Sequence, residues 1–254
     1  MPSISVVIIT LNEEKNIRRC LESVKDIADE IVVVDSLSTD QTKNICLEFG
    51  AKFIEQPFLG YIEQKNFALN QAGNDYVFSL DADEAADEIL RNKIKILKQH
   101  PFEFDGYSMN RCTNYCGKWI RHGTWYPDTK LRLINRKKSK WAGTNPHDKI
   151  EMEKGTRIKH LPGDILHYTY YTIEEHIAQM NKFTSIQAKA MYEQGKKSSV
   201  LKLIVNPAFA FVSGYLLKGG FLDGSKGLII ARTVAYQTFL KYAKLLQLNK
   251  AANR

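Results

Sequence analysis

The stretch ISVVIITLNEE, residues 4–14, decides the predicted fold. Its first part, Ile4 to Thr10, is a short run rich in β-branched residues, which is typical of a strand buried on both faces. The polar residues Asn12 to Glu14 follow directly and predict the start of a helix that runs to about Val24. A buried strand followed by a helix is the repeating unit of a parallel sheet.

The same alternation returns three times within the first hundred residues. It predicts strands at Glu30–Asp35, Ala51–Glu55 and Tyr76–Leu80, separated by helices that end near Glu48 and cover about 61–72. Consecutive parallel strands need right-handed helical crossovers. The sequence therefore predicts an α/β fold with a mainly parallel sheet and helices on both faces.

Polar clusters stand at the carboxyl ends of three predicted strands: Thr10 to Glu13, Asp35 with Ser36, and Asp81 to Glu84. In parallel sheets, ligands bind beyond these ends, so we expect the three clusters to converge on one rim. Asp81 and Asp83 can both approach one hard divalent cation, Mg²⁺ or Mn²⁺, which would neutralise a nucleotide diphosphate. The alternative is an acidic turn that caps a helix starting near Ala86.

Composition excludes several classes of protein. The 254 residues are 44% hydrophobic and 25% charged, as in a globular chain of one or two domains. The first glycine is Gly50, so neither a dinucleotide-binding fingerprint nor a P-loop follows the first strand, which argues against a NAD-dependent dehydrogenase. Later, GGFLDGSK at residues 219–226 resembles a P-loop but has Ser225 and Lys226 in reversed order.

The cysteines predict a reduced, cytoplasmic protein. Four cysteines are few for this length, and the amino terminus lacks a basic segment followed by an apolar one. Cys112, Cys116 and His122 offer three ligands where a structural zinc site needs four, so we interpret the cysteines as core or loop thiols. Three aromatic residues of this segment either stack on a sugar ring or pack against the sheet: Trp119, Trp125 and Tyr126.

Charge is divided unevenly along the chain. Residues 1–100 carry a net charge of −6 and residues 101–254 carry +14, which suggests an anionic partner for the second part. No motif in the sequence supports binding to nucleic acid. The best apolar stretch, from Leu201 to Leu217, is interrupted by Lys202 and Pro207, and we expect it not to span a bilayer.

The carboxyl-terminal residues 196–254 contain ten basic residues and one acid, Asp223, among many apolar ones. A helix predicted over about 227–248 is basic and amphipathic, and such a helix lies well on an anionic membrane surface. A helix packed on the sheet, or on another subunit of a homo-oligomer, fits the same pattern. The sequence leaves both possibilities open.

Four motifs in order resemble the nucleotide-binding half of family 2 glycosyltransferases, inverting enzymes with a GT-A fold: SVVIITLNEEKNI, EIVVVDSLSTDQT, QKNFAL and SLDADE. Three later stretches are similar to the small lipopolysaccharide-core glucosyltransferases: TKLRLINRKKSKWAGTNPHDKI, ILHYTYYTIEEHI and GYLLKGGFLDGSKGLIIA. The resemblance covers most of the chain. It implies a glycosyltransferase domain over residues 1–195, with a nucleotide-sugar-binding half at 1–100 and an acceptor half at 101–195, followed by a basic helical region at 196–254.

The resemblance also implies roles for individual residues. Six would bind the nucleotide-sugar donor: Thr10, Asn12, Glu13, Asp35, Lys65 and Asp81. Asp83 would ligate the metal directly, and His167 would be a further ligand, the alternative being a histidine hydrogen-bonded at a strand end. An inverting transfer needs one general base, which the resemblance places at Asp148 in WAGTNPHDK, where many members have glutamate. A surface turn after Pro146 is the alternative.

Together these patterns predict a metal-dependent, inverting glycosyltransferase. It would move a hexose from a UDP-linked donor to a lipid-attached core oligosaccharide, and it would lie peripherally on the inner face of a bacterial cytoplasmic membrane. Three alternatives remain. They are a polyprenyl-phosphate monosaccharide synthase of the same superfamily, a sugar nucleotidyltransferase, which normally has a glycine-rich loop after its first strand, and a non-catalytic membrane-surface protein that kept the fold.

Overall fold

The computed structural model describes residues 2–144 and 147–251. Within these ranges the strands are β1 (Ile4–Thr10), β2 (Glu30–Asp35), β3 (Lys52–Glu55), β4 (Tyr76–Asp81), β5 (Glu84–Ala86), β6 (Gly106–Tyr115), β7 (Lys118–Trp119), β8 (Asp128–Asn135), β9 (Ser139–Thr144), β10 (His147–Met152) and β11 (Ile158–Tyr170). The α-helices are α1 (Ile17–Val24), α2 (Thr42–Glu48), α3 (Tyr61–Gln71), α4 (Glu88–Leu97), α5 (Ile173–Glu193), α6 (Val200–Val212) and α7 (Gly224–Ala251). A π-helical turn, Ser213–Leu217, extends α6.

The first four strands form the parallel part of the sheet, in the order β3, β2, β1, β4. Thr10 at the end of β1 pairs with Asp35 at the end of β2, and Ile9 pairs with Asp81 at the end of β4. The three carboxyl ends therefore meet at one rim, as the sequence predicts. β8 pairs antiparallel with β4, and the sheet continues through β6, β11 and β5, while β9 and β10 form a separate antiparallel pair.

Helices cover both faces of the parallel strands. On one face, Val6 and Ile8 of β1 pack in a cluster with residues of α1, α2 and α4. On the other face, Val7 packs with Ala68 and Leu69 of α3. Each fully buried Val or Ile contributes roughly 1.5–3 kcal/mol, so burial on both sides explains why β1 is apolar along its length.

Two helices begin later than the sequence predicts. α1 begins at Ile17 rather than near Asn12, because Asn12 adopts a left-handed conformation with φ of 53° and is hydrogen-bonded to the loop after β2. α4 has Asp87 as its N-cap, which accepts a backbone N–H of the first turn at 2.7 Å. Helix capping therefore does not account for the carboxylates of Asp81 and Asp83.

The chain forms two compact units. The first comprises Met1–Arg111 and Asp128–Tyr168, and the second comprises Cys112–Pro127 and Thr169–Arg254. β6 and β11 continue from the first unit into the second. The predicted domain boundary near residue 195 falls inside the second unit, between α5 and α6, and it stays a prediction.

In the second unit, the stretch at 219–226 that resembles a P-loop leads into α7. Asp223 is buried there and accepts hydrogen bonds from the backbone N–H groups of Arg121 (3.1 Å) and His122 (2.9 Å). A Cβ on Gly227 would lie 1.9 Å from the carbonyl oxygen of Gly220. The presence of Asp223, Gly220 and Gly227 in this stretch is therefore explained by close packing.

The length and hydropathy of α6 bear on the expectation that this stretch does not span a bilayer, which stays a prediction. In the part of the chain that the structure describes, one helical segment, Val200–Leu217, is long and apolar enough to cross a membrane by length and composition. The helix continues through Pro207 into the π-helical turn, and its charged residue, Lys202, lies in the first turn. Only 6% of the segment is buried.

Gly163 of β11 provides a stability test of the contact with α4. Gly163 has φ of 105°, and a Cβ there would lie 2.4 Å from the backbone nitrogen of Leu90. Gly155 has φ of 84° and no atom within 4 Å of the same position, so it is a control for the cost of positive φ alone. We expect Gly163→Ala to lower the free energy of unfolding by about 2 kcal/mol more than Gly155→Ala, measured by urea denaturation. Equal losses would contradict the close approach of β11 to α4.

Candidate active site

Asn12 joins the loop after β1 to the loop after β2. Its backbone N–H donates to the Ser38 hydroxyl at 2.7 Å, and its side-chain oxygen accepts the backbone N–H of Thr39 at 2.8 Å. Asp35 is buried and accepts the backbone N–H of Ser38 at 2.7 Å. The predicted donor residues Asn12 and Asp35 thus both hold the turn that follows β2.

Thr10 and Glu13, two further predicted donor residues, lie on the same rim. Thr10 is buried, and its Oγ1 has no hydrogen-bond partner within the described part of the chain. Glu13 accepts a hydrogen bond from the Asn16 side-chain amide at 2.7 Å. Burial raises the pKa of Glu13, the bond from Asn16 lowers it, and the charges of Asp83 and Asp81 raise it further. Glu13 therefore lies within electrostatic reach of the acidic turn after β4.

Lys65 of α3 lies between two of the predicted site carboxylates. Its Nζ is 2.8 Å from Oδ2 of Asp148 and 3.1 Å from Oδ1 of Asp81. The Lys65 side chain is 6% exposed, and its Nζ is 4.5 Å from the centre of the Trp141 ring. Two carboxylates and an aromatic face thus compensate the hydration that this buried ammonium has lost.

Asn66, the next residue of α3, anchors β9. Its side-chain nitrogen donates to the carbonyl oxygen of Trp141, and its side-chain oxygen accepts the backbone N–H of Trp141, both at 2.9 Å. β9 pairs with β10, in which Asp148 lies opposite Gly143. Asp148 is therefore positioned by α3 in two ways, directly by Lys65 and indirectly by the anchored strand β9.

Asp81 carries a strongly stabilised negative charge. Burial by itself raises the pKa of Asp81, but the Lys65 ammonium and the Arg132 guanidinium hold it well below its usual range. Nη2 of Arg132 lies 3.6 Å from Oδ2 of Asp81. The carboxylate is therefore ionised at neutral pH and can accept hydrogen bonds with both oxygens.

Sequence reasoning missed the buried pair of Glu84 and Arg132. The Glu84 carboxylate is fully buried and accepts hydrogen bonds from Nη2 of Arg132 and from the backbone N–H of Asp81, both at 3.0 Å. Arg111 adds a longer contact to Glu84 at 3.4 Å. Glu84 thus holds the turn that carries Asp81 and Asp83. The available signal was an arginine in the strand pattern TKLRLIN, since a buried arginine needs an acidic partner.

The two predicted metal ligands lie next to each other. Oδ2 of Asp83 is 3.2 Å from Nε2 of His167, which β11 places opposite Glu84 of β5. Neighbouring ligands of an octahedral ion with bonds of about 2.1 Å lie about 3.0 Å apart, so this pair fits Mg²⁺ or Mn²⁺. Among the described residues, no group of three or more His, Cys, Asp or Glu side chains is arranged to hold a metal. Two protein ligands are enough for an ion whose remaining coordination positions are filled by substrate phosphates.

The cysteines, and Trp125 of the second unit, have packing roles. All four cysteines are free thiols, and Cys20, Cys46 and Cys112 are buried. The Trp125 ring packs against Tyr115 and Tyr170, with ring centres 5.5 Å and 5.9 Å apart. These contacts favour core packing of Trp125 over stacking on a sugar.

The parallel strands end in a cluster of carboxylates, an acidic turn follows β4, and the rest of the sheet is partly antiparallel. Together these features define a GT-A type glycosyltransferase fold. The chain belongs to the glycosyl transferase family 2, whose profile matches residues 5–161. The family resemblance found in the sequence is thereby confirmed.

Relatives extend the match over almost the whole chain. An uncharacterised glycosyltransferase of Rickettsia typhi is 34% identical over 259 aligned residues, covering 98% of this chain and 88% of the relative. The lipopolysaccharide core biosynthesis glycosyltransferase LpsC of Rhizobium meliloti is 33% identical over 250 residues, covering 96% of this chain and 92% of the relative.

A solved structure shares the fold. It is a mannosyltransferase from Pyrobaculum calidifontis in complex with GDP-Man and Mn²⁺, with a TM-score of 0.57 and 17% identity over 96% of this chain and 87% of the other.

Replacing Lys65 tests whether the buried charge cluster stabilises the fold as a unit. We expect Lys65→Met to lower the free energy of unfolding by about 3 kcal/mol, because Asp81 and Asp148 then lose their shared counter-ion. Lys43→Met is the matched control, since Lys43 pairs with Glu55 at 2.8 Å but both side chains are about half exposed; its cost should stay below about 1 kcal/mol. Urea denaturation of both variants measures the difference, and similar small losses would contradict a buried cluster.

Proposed function

We propose that the protein is a metal-dependent, inverting hexosyltransferase that uses a nucleotide-diphosphate sugar, UDP-linked, and acts on a lipid-attached core oligosaccharide. The observation that carries this proposal is the Lys65 ammonium between Asp81 and Asp148. It brings a carboxylate of the donor rim and the candidate general base into contact with the same cation. A transfer reaction needs its donor and its base held at such a fixed spacing.

The donor would lie across the carboxyl ends of β1, β2 and β4. The unpartnered hydroxyl of Thr10 is a buried group that a ligand can satisfy. Asn12, Glu13 and Asp35 would contact the nucleotide from the loops after β1 and β2, and Asp81 would contact its ribose or a metal-bound water. Lys65 would lie near the diphosphate, whose negative charge its ammonium can share with the two carboxylates.

Asp83 and His167 would hold the Mg²⁺ or Mn²⁺ ion. Their spacing of 3.2 Å suits two ligands of one ion. When bound, the ion would neutralise the diphosphate and so stabilise it as a leaving group. The solved mannosyltransferase of the same fold is a complex with GDP-Man and Mn²⁺, which supports a divalent metal in a protein of this fold.

Asp148 would act as the general base. Its Oδ would take the proton of the acceptor hydroxyl while that oxygen forms a bond to the anomeric carbon of the donor sugar. The bond between the anomeric carbon and the diphosphate oxygen breaks, and the diphosphate leaves with the electron pair. Attack opposite to the leaving group inverts the anomeric configuration. Lys65 and the anchored strand β9 orient Asp148 for this step.

The relatives and the charge support the proposed acceptor and location. LpsC of Rhizobium meliloti is named for lipopolysaccharide core biosynthesis and matches nearly the whole chain, so a lipid-attached saccharide at the inner face of the cytoplasmic membrane is the acceptor we favour. The net charge of +14 on residues 101–254 suits an anionic membrane surface.

Substitution of Asp148 tests the base. We expect Asp148→Asn to lower the rate of sugar transfer by roughly 10²–10⁴-fold, because no other group would take the acceptor proton. Glu151→Gln, on the exposed part of the same strand, is the matched control and should transfer at the wild-type rate. Transfer is measured with labelled donor and membrane-extracted acceptor, and nucleotide diphosphate binding is measured in parallel. Full transfer by Asp148→Asn with intact donor binding would show that another group is the base.

Substitution of Asp83 tests the metal and the donor together. We expect one of UDP, GDP, CDP or ADP to bind in calorimetry only when Mn²⁺ is present, and we expect Asp83→Ala to abolish that binding because the ion loses its carboxylate ligand. Asp75→Ala is the control, since Asp75 is half exposed and pairs with Lys137. Lack of metal-dependent binding of all four nucleotides to the wild type would favour a non-catalytic membrane-surface protein.

A further inference from the structure

The outer face of α6 is apolar, although it is exposed. Leu201, Ile204 and Phe209 are 69%, 66% and 65% exposed, and they recur with the spacing of one helix face. Six further exposed apolar residues lie in α6, in its π-helical extension or just after it: Val205, Val212, Leu216, Leu217, Phe221 and Leu222. We call this set of nine residues the α6 face. A group of exposed apolar side chains of this size marks an interaction surface.

α7, in contrast, lies between its neighbours. It packs against both α5 and α6. Lys244 of α7 donates hydrogen bonds to Asn181, Thr184 and Ser185 of α5, each at 2.8 Å, so this basic residue is used within the unit. The helix that the sequence singled out for membrane contact is therefore the central one of the three, and α6 presents the exposed apolar side chains.

The charges around the α6 face identify its partner. Lys196 and Lys197 precede α6, Lys202 lies in its first turn, and Lys218 follows its π-helical extension; all four are exposed. Between residues 194 and 251 the single acid is Asp223, which is buried. Two copies of this face would bring like charges together, whereas an anionic leaflet offers opposite charges around an apolar interior.

The packing of α6 also decides its orientation. Its inner side contacts α7, where Arg232 lies 5.7 Å from the Phe211 ring. A membrane-spanning α6 would carry Arg232 of α7 into the bilayer, at a cost of up to roughly 2.5–3.5 kcal/mol. A helix lying in the plane of the leaflet avoids that cost and buries the α6 face in the acyl boundary.

We propose that the α6 face inserts in the plane of an anionic membrane leaflet and docks the protein there. The proposal stands on the geometry of the second unit and rests on the proposed function only for its purpose, which is to hold the enzyme where a lipid-attached acceptor lies. Apolar insertion supplies the persistent part of the affinity, and the lysines supply a part that salt screens.

Co-sedimentation with vesicles of phosphatidylcholine mixed with phosphatidylglycerol tests this docking. We expect the wild type to bind, and Leu201→Ser/Ile204→Ser/Phe209→Ser to bind at least tenfold more weakly, since roughly 1.4 kcal/mol of lost apolar burial suffices for that change. The matched control is Leu47→Ser/Ile89→Ser/Ile96→Ser, which removes three exposed apolar side chains from α2 and α4, at 54%, 58% and 53% exposure. The control should bind like the wild type.

Four outcomes of the binding and light-scattering measurements would overturn the proposal. They are absence of vesicle binding by the wild type, equal weakening in both triple variants, unchanged binding by the α6 variant, or a wild-type dimer in light scattering that the α6 variant abolishes. Labelling of sealed vesicles with a membrane-impermeant amine reagent tests the orientation. We expect both Lys202 and Lys218 to react from outside, and protection of one of them would indicate a spanning helix instead.

Nucleotide calorimetry separates this proposal from the proposed function. The α6 variant should keep the wild-type affinity for the nucleotide diphosphate with Mn²⁺, because its substitutions lie outside the carboxylate site. Vesicle binding without any nucleotide binding would leave docking intact and refute the transferase. Nucleotide binding and sugar transfer without vesicle binding would leave the transferase intact and refute docking.

Discussion

The rest of the candidate site depends on the two ion pairs that the Lys65 ammonium makes. It joins the end of β4, through Asp81, to the separate strand pair β9 and β10, through Asp148. A buried cation between two carboxylates is stable only as a complete set, because removal of any member leaves an uncompensated charge away from water. The position of the candidate base is thus tied to the integrity of the donor rim.

A second set of buried charges supports the first. Glu84 accepts hydrogen bonds from Arg132 and from the backbone of Asp81, and so fixes the turn between β4 and β5. Arg132 in turn lies close to Asp81 and helps to keep its carboxylate ionised. This arrangement leaves Asp83 beside His167, where two ligands suit a cation that is completed by a diphosphate. Carboxylates that would repel each other are thereby held together before any ligand binds.

Some of these features were predictable from the sequence and others were not. β1 and β2 have the predicted bounds, and the carboxyl ends of β1, β2 and β4 meet as expected, because burial on both faces leaves a strong local pattern. The partner of Lys65 was not predictable, since Asp148 lies 83 residues away and no local pattern records such a contact. The start of α1 was misplaced for a similar reason, because hydrogen bonds to the loop after β2 hold Asn12 outside the helix.

The carboxyl-terminal helices also combine features that the sequence predicts with features that it does not. Sequence patterns establish that this region is basic, apolar and helical, and they establish the family and the acidic turn, because composition, periodicity and motif order are local properties of the chain. Only the tertiary structure decided that α7 is packed between α5 and α6 and that α6 exposes its apolar side chains. The physical reason is that a helical pattern states which residues share a face, whereas the neighbours that cover that face are set by contacts between distant parts of the chain.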